Sequence, residues 1–319
     1  MSIELALKVV VAPALVIVVG LVLVWRVWRA GEPGWSVSAR TEASGRTDAL
    51  RQGQRWGGAS AVVLSGVVLA VAYALGLALV ENQMPKLPPH VAEHTLFWLA
   101  LLGALAGLLE MPRALPWTVR LLTRYAIAAI GVWLITRRKL EMGAWDERTT
   151  AIAVAGATLG VVVWWSVLDV LANRVRGAAV PVIVAGLAGA SAPLLIFHAS
   201  WVGGGNLAGV LGSAFGALAL IAAWRRDVTM GPGGAAVAGL VFPGLLWTAW
   251  LWGYFDAWQW TLLIAMLASV LLAFVMDLPR LRDMPALWRE MIRVTLVAVP
   301  ATAIAVWAVA AAPLDEYLY

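Results

Sequence analysis

A run of 48 residues, from Gly177 to Trp224, contains no Asp, Glu, Lys or Arg. A helix of about 20 residues crosses the roughly 30 Å of hydrocarbon in a bilayer. An ionised side chain near the centre of such a helix costs roughly 2.5–3.5 kcal/mol. Long uncharged runs therefore indicate helices that lie in lipid. The composition agrees, since 62% of the residues are hydrophobic and only 13% are charged, against about 45–50% and about 25% in soluble domains.

Other uncharged runs have the length of membrane spans or approach it. They cover residues 9–25, 56–80, 95–109, 125–136, 149–168, 228–255, 257–276 and 294–314. The 48-residue run is long enough for two spans, and we expect "WVGGGN" (201–206) to divide it, because glycines followed by Asn favour a turn. The short run 125–136 reaches span length as 116–136 if Arg120 and Arg124 extend to the interface. The chain is thus predicted to be all-α, a polytopic transmembrane helix bundle of about ten spans that forms one domain over residues 1–319.

The basic residues predict the orientation of this bundle. With the N-terminus outside, loops on the cytoplasmic face carry seventeen of the 23 Lys and Arg residues, as the positive-inside rule requires. If residues 116–136 did not cross, the division would fall to thirteen against ten. We therefore expect both termini outside in a bacterial-type cytoplasmic membrane. Residues 30–56, which mix both charges with Gly, Ser and Thr, are predicted to form a flexible cytoplasmic loop.

Tryptophan is concentrated in "LLWTAWLWGYFDAWQW" (245–260), which holds five of the 19 tryptophans. Trp247 and Trp250 share one helix face by spacing, whereas Trp252 points elsewhere, so the rings are predicted to radiate. Radiating rings are typical of an aromatic belt at a membrane interface. A cage for a cation or sugar would need rings that converge, and Trp247 and Trp250 remain candidates for such a site.

Asp169, in "WWSVLDVLANR", is an ionisable residue that lies one turn before the cytoplasmic end of the fifth predicted span. An ionisable group within lipid marks a functional site by default, which predicts a carboxylate that couples to an ion or proton. The alternative is an interfacial Asp paired with Arg174 or Arg176. Glu110 and Asp277 come at the cytoplasmic ends of helices and are predicted to be interfacial.

Two spans contain residues that loosen a helix. The sixth carries Ser191, Pro193 and His198, with Asn206 in the loop beyond, and the eighth carries "GPGG" (231–234) and Pro243–Gly244. Broken helices line the central sites of many transporters. We therefore predict a cavity near the sixth and eighth helices. The candidate substrate-binding residues are Asp169, Ser191, His198, Asn206, Trp247 and Trp250, and the alternative is that these breaks are packing kinks.

No catalytic residue, cofactor or metal site is predicted. Ser191 and His198 are seven residues apart, a rise of about 10.5 Å that is too long for a hydrogen-bonded dyad. His90 and His94 are four apart, but Glu93 does not follow the first His as the zinc-protease pattern requires. Cysteine is absent, and we find no phosphate-binding glycine loop with its Lys.

Glycine spacing predicts close packing of helices, and one sequence pattern occurs twice. Gly103/Gly107, Gly156/Gly160 and Gly212/Gly216 form Gly-x-x-x-Gly pairs, which let helix backbones approach within the chain or between subunits. "MPRALPWTVRLLTR" (111–124) and "MPALWREMIR" (284–293) each bring a Pro, a Trp and two Arg four apart to the start of a span. They are either a repeat or two independent interfacial helix starts.

The leading functional hypothesis is a secondary transporter or permease for a small solute, because loosened helices occur without hydrolytic apparatus. The alternative is a non-catalytic membrane subunit or scaffold of a larger complex. The expected partners are the lipid bilayer, a small solute, and proteins or a second copy of the chain bound through the glycine faces. Nucleic acid is not expected, because the basic residues are accounted for by topology.

Overall fold

The computed structural model confirms that the chain is all-α. It describes residues 7–20, 66–81, 89, 92–110, 115–175, 177–224, 230–252, 255, 257–278, 281 and 284–312. Of these residues 91% are helical, and no strand is found among them. The predicted cytoplasmic loop 30–56 lies outside the described residues.

The described residues form ten helical segments. They are α1 (Lys8–Gly20), α2 (Gly66–Glu81), α3 (Ala92–Leu109), α4 (Trp117–Glu141), α5 (Glu147–Arg174), α6 (Ala179–His198), α7 (Val202–Trp224), α8 (Gly231–Trp252), α9 (Ala257–Ala268, continued as a 3₁₀ segment over Ser269–Asp277) and α10 (Ala286–Ala310). Seven of them, α4 to α10, are long and apolar enough to cross a membrane, which is consistent with a multi-pass integral membrane protein. The segments α1 to α3 are shorter apolar helices.

Proline and aspartate set where three of these helices begin. Pro116 precedes α4 and Pro285 precedes α10, each with an extended backbone (ψ 145° and 137°) and without an N–H that would need an acceptor. Asp146 precedes α5, and its carboxylate accepts a hydrogen bond of 2.9 Å from the Thr149 N–H, a typical N-cap. The short uncharged run 125–136 thus becomes part of a 25-residue helix.

α8 is the central helix of one group, which also contains α3, α4 and α5. It is the most buried of the seven long helices, and it packs most extensively against α3 and α5. A Cβ at Gly107 would collide with the backbone of Gly233, and one at Gly66 of α2 would lie 2.6 Å from the Gly233 Cα. α2, α3 and α8 therefore approach one another at backbone distance.

A second group consists of α6, α7 and α10, with α1 packed on α7. A Cβ at Gly212 would lie 3.3 Å from the Ala185 carbonyl oxygen, so α6 and α7 are also closely packed. The hydroxyl of Ser213 on α7 donates to the Val9 carbonyl of α1 at 2.9 Å.

The structure corrects the predicted helix breaks. α8 continues without interruption through Pro243, where it is enclosed by buried apolar side chains. The sixth helix is loosened as expected, since Leu194–His198 form a short π-helical segment after Pro193. The chain reverses at Ser200 (φ 49°), before the glycines of "WVGGGN", which lie in the first turn of α7. These glycines serve packing, since a Cβ at Gly204 would collide with the Trp201 ring.

Candidate functional site

Arg124 lies between two carboxylates in the interior of the first helix group. Its Nε donates to Glu110 Oε1 at 2.7 Å and its Nη2 to Glu110 Oε2 at 2.6 Å. The same Nη2 donates to Asp169 Oδ2 at 2.7 Å. The side chains of Arg124, Glu110 and Asp169 are only 7%, 2% and 12% exposed. We call these three residues the Arg124 cluster.

Three helices bring the cluster together at one end of the bundle. Glu110 directly follows α3, where its N–H still donates to the Ala106 carbonyl at 2.9 Å. Arg124 lies two turns into α4, and Asp169 lies five residues before the end of α5. Because α4 begins at the end of the bundle where α3 and α5 finish, the three side chains converge. We call this end the charged end.

Neighbouring side chains complete the hydrogen bonding of the cluster. Asn173 Nδ2 donates to Asp169 Oδ1 at 3.1 Å, so each of the four carboxylate oxygens accepts one hydrogen bond. Arg124 Nη1 donates to Ser166 Oγ at 3.3 Å. The guanidinium carbon also lies 5.3 Å from the centre of the Trp165 ring, within range of a cation–π interaction.

The charges of the cluster do not balance. Among the described residues, Arg124 is the one cation within ion-pair distance of Glu110 and Asp169. With both carboxylates ionised the cluster carries a formal charge of −1. A buried charge without a partner is strongly disfavoured, so the arrangement is suited to hold a further proton or cation.

A second buried arginine lies at the charged end. Arg293 donates from Nη2 to Asp277 Oδ1 at 2.7 Å and from Nη1 to the Glu290 carboxylate at 2.9 Å. Its Nε donates to the Ala273 carbonyl at 3.0 Å. Arg174 donates from Nη1 to Asp277 Oδ2 at 3.2 Å. We call Arg174, Asp277, Glu290 and Arg293 the Arg293 cluster. Arg289 Nε also lies 3.8 Å from Glu290 Oε1, so three described guanidinium groups lie within ion-pair distance of the two carboxylates and no carboxylate is in excess.

The two clusters share a sequence pattern and a geometry. Arg124 is the eighth residue after Pro116, and Arg293 is the eighth residue after Pro285. Each arginine binds the carboxylate at the end of the preceding helix, which is Glu110 or Asp277. The resemblance between 111–124 and 284–293 therefore has a structural counterpart, and this favours a repeat over two independent helix starts.

One sequence-based prediction about these charges, the pairing of Asp169 with Arg174, is wrong. Asp169 binds Arg124 of another helix, while Arg174 binds Asp277, and Arg176 lies outside the described residues. Glu110 and Arg124 are buried between helices, and their predicted position at the membrane interface stays a prediction. The signal that could have found them is acid-x-Pro-Arg, which reads "EMPR" at 110–113 and "DLPR" at 277–280.

The structure does not bring the predicted substrate-binding residues together. Ser191 is buried and its hydroxyl donates to the Ala188 carbonyl at 2.8 Å. His198 Nε2 lies 3.0 Å from the Ala308 carbonyl oxygen near the end of α10, and its ring stacks on Trp307 at 4.9 Å. Asn206 is half-buried in the first turns of α7. These contacts separate His198 from Asp169, which lies at the charged end.

The sixth and eighth helices, near which a cavity is predicted, belong to different groups of the described helices. α8 packs on α3 and α5, whereas α6 packs on α7 and α10. A Cβ at Gly244 would lie 2.6 Å from a methyl group of Leu99. Gly244 thus lies in a close packing contact with α3.

Trp247 and Trp250 converge with other rings, which corrects the prediction that they radiate. Their ring centres are 4.7 Å apart, and Trp250 also lies 5.7 Å from Trp145 and 6.0 Å from Trp260. Trp247 Nε1 donates to Thr136 Oγ1 at 2.9 Å. Because the rings pack on one another, they fill the space that a caged ligand would need.

In the described parts of the chain, no three His, Cys, Asp or Glu residues come close enough to hold a metal ion. His94 is buried on α3, and His90 is outside the described residues. Comparison with models of known protein families and with curated protein sequences gives no match. The case for function therefore depends on the Arg124 cluster.

Proposed function

We propose that the chain is a secondary transporter or permease for a small solute, and that the Arg124 cluster is its ion-coupling site. The observation that carries this proposal is that two buried carboxylates, Glu110 and Asp169, share one guanidinium. Ionisable residues within membrane helices commonly mark ion pathways and proton relays. The cluster joins α3, α4 and α5, so a change in its charge acts on three helices at once.

The Arg293 cluster supports this assignment by comparison. In the Arg293 cluster no carboxylate is in excess, because the guanidinium groups of Arg174, Arg289 and Arg293 lie within ion-pair distance of its two carboxylates. The Arg124 cluster has a carboxylate in excess. An excess buried charge costs free energy in the folded state, and energetically costly groups of this kind are concentrated at functional sites.

The topology belongs to the proposal as well. We place the charged end on the cytoplasmic side of a bacterial-type membrane, with ten crossings and both termini outside. The excess of Arg in the loops at this end supports the placement. In this orientation the Arg124 cluster faces the cytoplasm, where an ion released from the site would leave.

Reconstitution into liposomes tests the proposal. Purified protein is assayed with a panel of small solutes, while a trapped dye reports the internal pH. We expect flux of a solute together with a proton or ion, and its loss in Asp169→Asn. Glu141→Gln is the matched control, because Glu141 forms only an exposed pair with Arg137 at 3.8 Å. Folded wild-type protein that moves no solute and no proton would contradict the proposal.

One observation favours the alternative function, a membrane subunit or scaffold of a larger complex. A Cβ at Gly156 or Gly160 of α5 would meet no atom within 4 Å. The adjacent Ile152 and Leu159 are 65% and 60% exposed, so this glycine face is open to lipid or to another helix. Extraction in mild detergent tests it, since migration as a monomer without a co-purifying protein would remove its support.

A further inference from the structure

We infer that the Arg124 cluster binds one proton and that Asp169 carries it. This inference deepens the proposed function, because it names the coupling ion, and its role in transport rests on that proposal. It is argued from three features of the site: the ligands that are available, the different hydrogen bonding of the two carboxylates, and the charges around Asp169.

The available ligands favour a proton over a metal cation. Each of the four carboxylate oxygens of Glu110 and Asp169 already accepts a hydrogen bond. Ca²⁺ requires six to eight oxygen ligands and Mg²⁺ about six, and among the described residues no third carboxylate or His joins these two. A proton needs a single lone pair, which either carboxylate can supply.

The hydrogen bonds favour Asp169 over Glu110 as the proton-binding group. Glu110 receives two parallel hydrogen bonds from Nε and Nη2 of Arg124, the geometry that stabilises an ionised carboxylate most strongly. Asp169 receives one hydrogen bond from Arg124 and one from the neutral amide of Asn173. Asp169 is also the more exposed of the two side chains, at 12% against 2%.

The charged groups around Asp169 are few in the described residues. Arg124 of α4 favours its ionised form, and Glu110 at the end of α3 opposes it. On α5 itself the neighbours are the neutral Asn173 and Ser166. α8 contains no titratable side chain, and the facing carboxylate of α9, Asp277, is occupied by Arg174 and Arg293. Arg124 is thus the one described cation within ion-pair distance of Asp169, and Glu110 binds the same guanidinium.

Two polar groups on the same face of α5 extend from Asp169 into the bundle. Thr158, Trp165 and Asp169 are spaced i, i+7, i+11, which places them along one side of a helix. The hydroxyl of Thr158 and the indole N–H of Trp165 are buried and have no hydrogen-bond partner among the described residues. Buried polar groups normally have a partner in protein or water. The Thr158 hydroxyl and the Trp165 N–H can therefore each form a further hydrogen bond, as the groups along a proton route must.

The binding step is a simple protonation. A hydronium ion transfers its proton to Oδ2 of Asp169, an O–H bond forms, and water leaves. The protonated carboxyl no longer attracts Nη2 of Arg124 as an anion. Arg124 and Glu110 remain as a neutral ion pair, and the electrostatic link between α4 and α5 at the charged end is weakened.

Infrared spectroscopy of the reconstituted protein tests this inference without a transport assay. A protonated carboxyl has a C=O stretching band that an ionised carboxylate lacks. We expect such a band near neutral pH, where exposed carboxylates are ionised. In protein grown with aspartate labelled with ¹³C at the side-chain carboxyl, the band should shift to lower frequency. It should disappear in Asp169→Asn and persist in the matched variant Asp277→Asn of the Arg293 cluster, where no carboxylate is in excess.

Each outcome decides a different point. A missing band, a band that ignores the aspartate label, or a band that survives in Asp169→Asn would overturn the inference. The labelled wild-type protein alone already gives the first two readouts, so a variant that fails to fold does not prevent the test. A band as expected without any flux in liposomes would overturn only the proposed transport function. Flux without the band would overturn only the assignment of the proton.

Discussion

Arg124 and Arg293 occupy equivalent positions in two different helices, eight residues after the proline that precedes each helix. Each extends back to the carboxylate that ends the helix before it, at 2.6–2.7 Å. The pairs α3–α4 and α9–α10 thus contain the same structural unit. The units differ in charge, because Arg174 and Arg289 add positive charge to the second unit, and no second described cation lies within ion-pair distance of the carboxylates in the first. This difference within one chain makes each unit a control for the other.

Arg124→Gln should destabilise the protein strongly. It would leave Glu110 and Asp169 buried together without a cation, and breaking a buried ion pair costs about 3–5 kcal/mol. Arg174→Gln is the control, because the Arg174 side chain is 57% exposed and exposed pairs contribute about 0–1 kcal/mol. Denaturant unfolding in detergent micelles measures both. Equal effects of the two substitutions would contradict a buried cluster.

Arg124→Lys should not restore the wild-type stability. Lysine keeps the positive charge but lacks the planar fork that binds both oxygens of Glu110. We therefore expect the free energy of unfolding to lie between those of Arg124→Gln and the wild type. A lysine variant as stable as the wild type would show that charge alone holds the cluster, without the bidentate geometry.

Gly107→Ala should destabilise the packing of α3 on α8. The added methyl group would collide with the backbone of Gly233, and overpacking of this kind costs about 1–3 kcal/mol. Gly160→Ala is the control, since its methyl group would meet no atom within 4 Å. Thermal unfolding in the same detergent separates them. A larger loss for Gly160→Ala would instead reveal a partner on that face.

Asp146 should make the first turn of α5 sensitive to acid. The hydroxyl and then the N–H of Thr149 donate to its carboxylate and lower the pKa of Asp146. Because the pKa is lower in the folded state, this stabilisation is present above the ordinary pKa of an aspartate and is lost as pH falls through the lowered value. Hydrogen–deuterium exchange of the first turn of α5 should therefore accelerate in acid. Asp146→Asn, which also caps a helix, should remove this dependence on pH.

Single-cysteine labelling should place Met142 and Leu278 on opposite sides of the membrane. The chain contains no cysteine, so each introduced thiol is unambiguous. Met142 follows α4 and Leu278 follows α9, and both are more than half exposed. In the proposed topology, an impermeant reagent added from outside labels Met142→Cys and reaches Leu278→Cys only after permeabilisation. Labelling of both from one side would overturn the ten-span arrangement.

The helices could be predicted from the sequence because the cost of a charge in lipid acts locally. Each uncharged run that the structure describes corresponds to a helix, and even the short run 125–136 is extended to 25 residues by the turns that contain Arg120 and Arg124. The break near residue 200 was predicted a few residues late. Its glycines serve close packing against Trp201, and glycine spacing alone does not separate that role from a turn.

The site could not be predicted in the same way, because its contacts join distant residues. Arg124 and Asp169 are 45 positions apart, and nearness along the chain favoured Arg174 instead. Gly-x-x-x-Gly spacing likewise does not say which face packs: Gly103 and Gly107 contact α8, whereas a Cβ at Gly156 or Gly160 would meet no atom within 4 Å. The sequence patterns that contained information about the cluster are the resemblance between 111–124 and 284–293 and the repeated acid-x-Pro-Arg pattern.

The meeting of α2, α3 and α8 at Gly233 has a consequence for biosynthesis. The ribosome completes α2 and α3 more than a hundred residues before it reaches the helix on which they pack. Until then their glycine faces have only lipid, or a chaperone, as a neighbour. The nascent chain therefore acquires its central packing late, and truncation before residue 231 should yield a product that is degraded by membrane quality control.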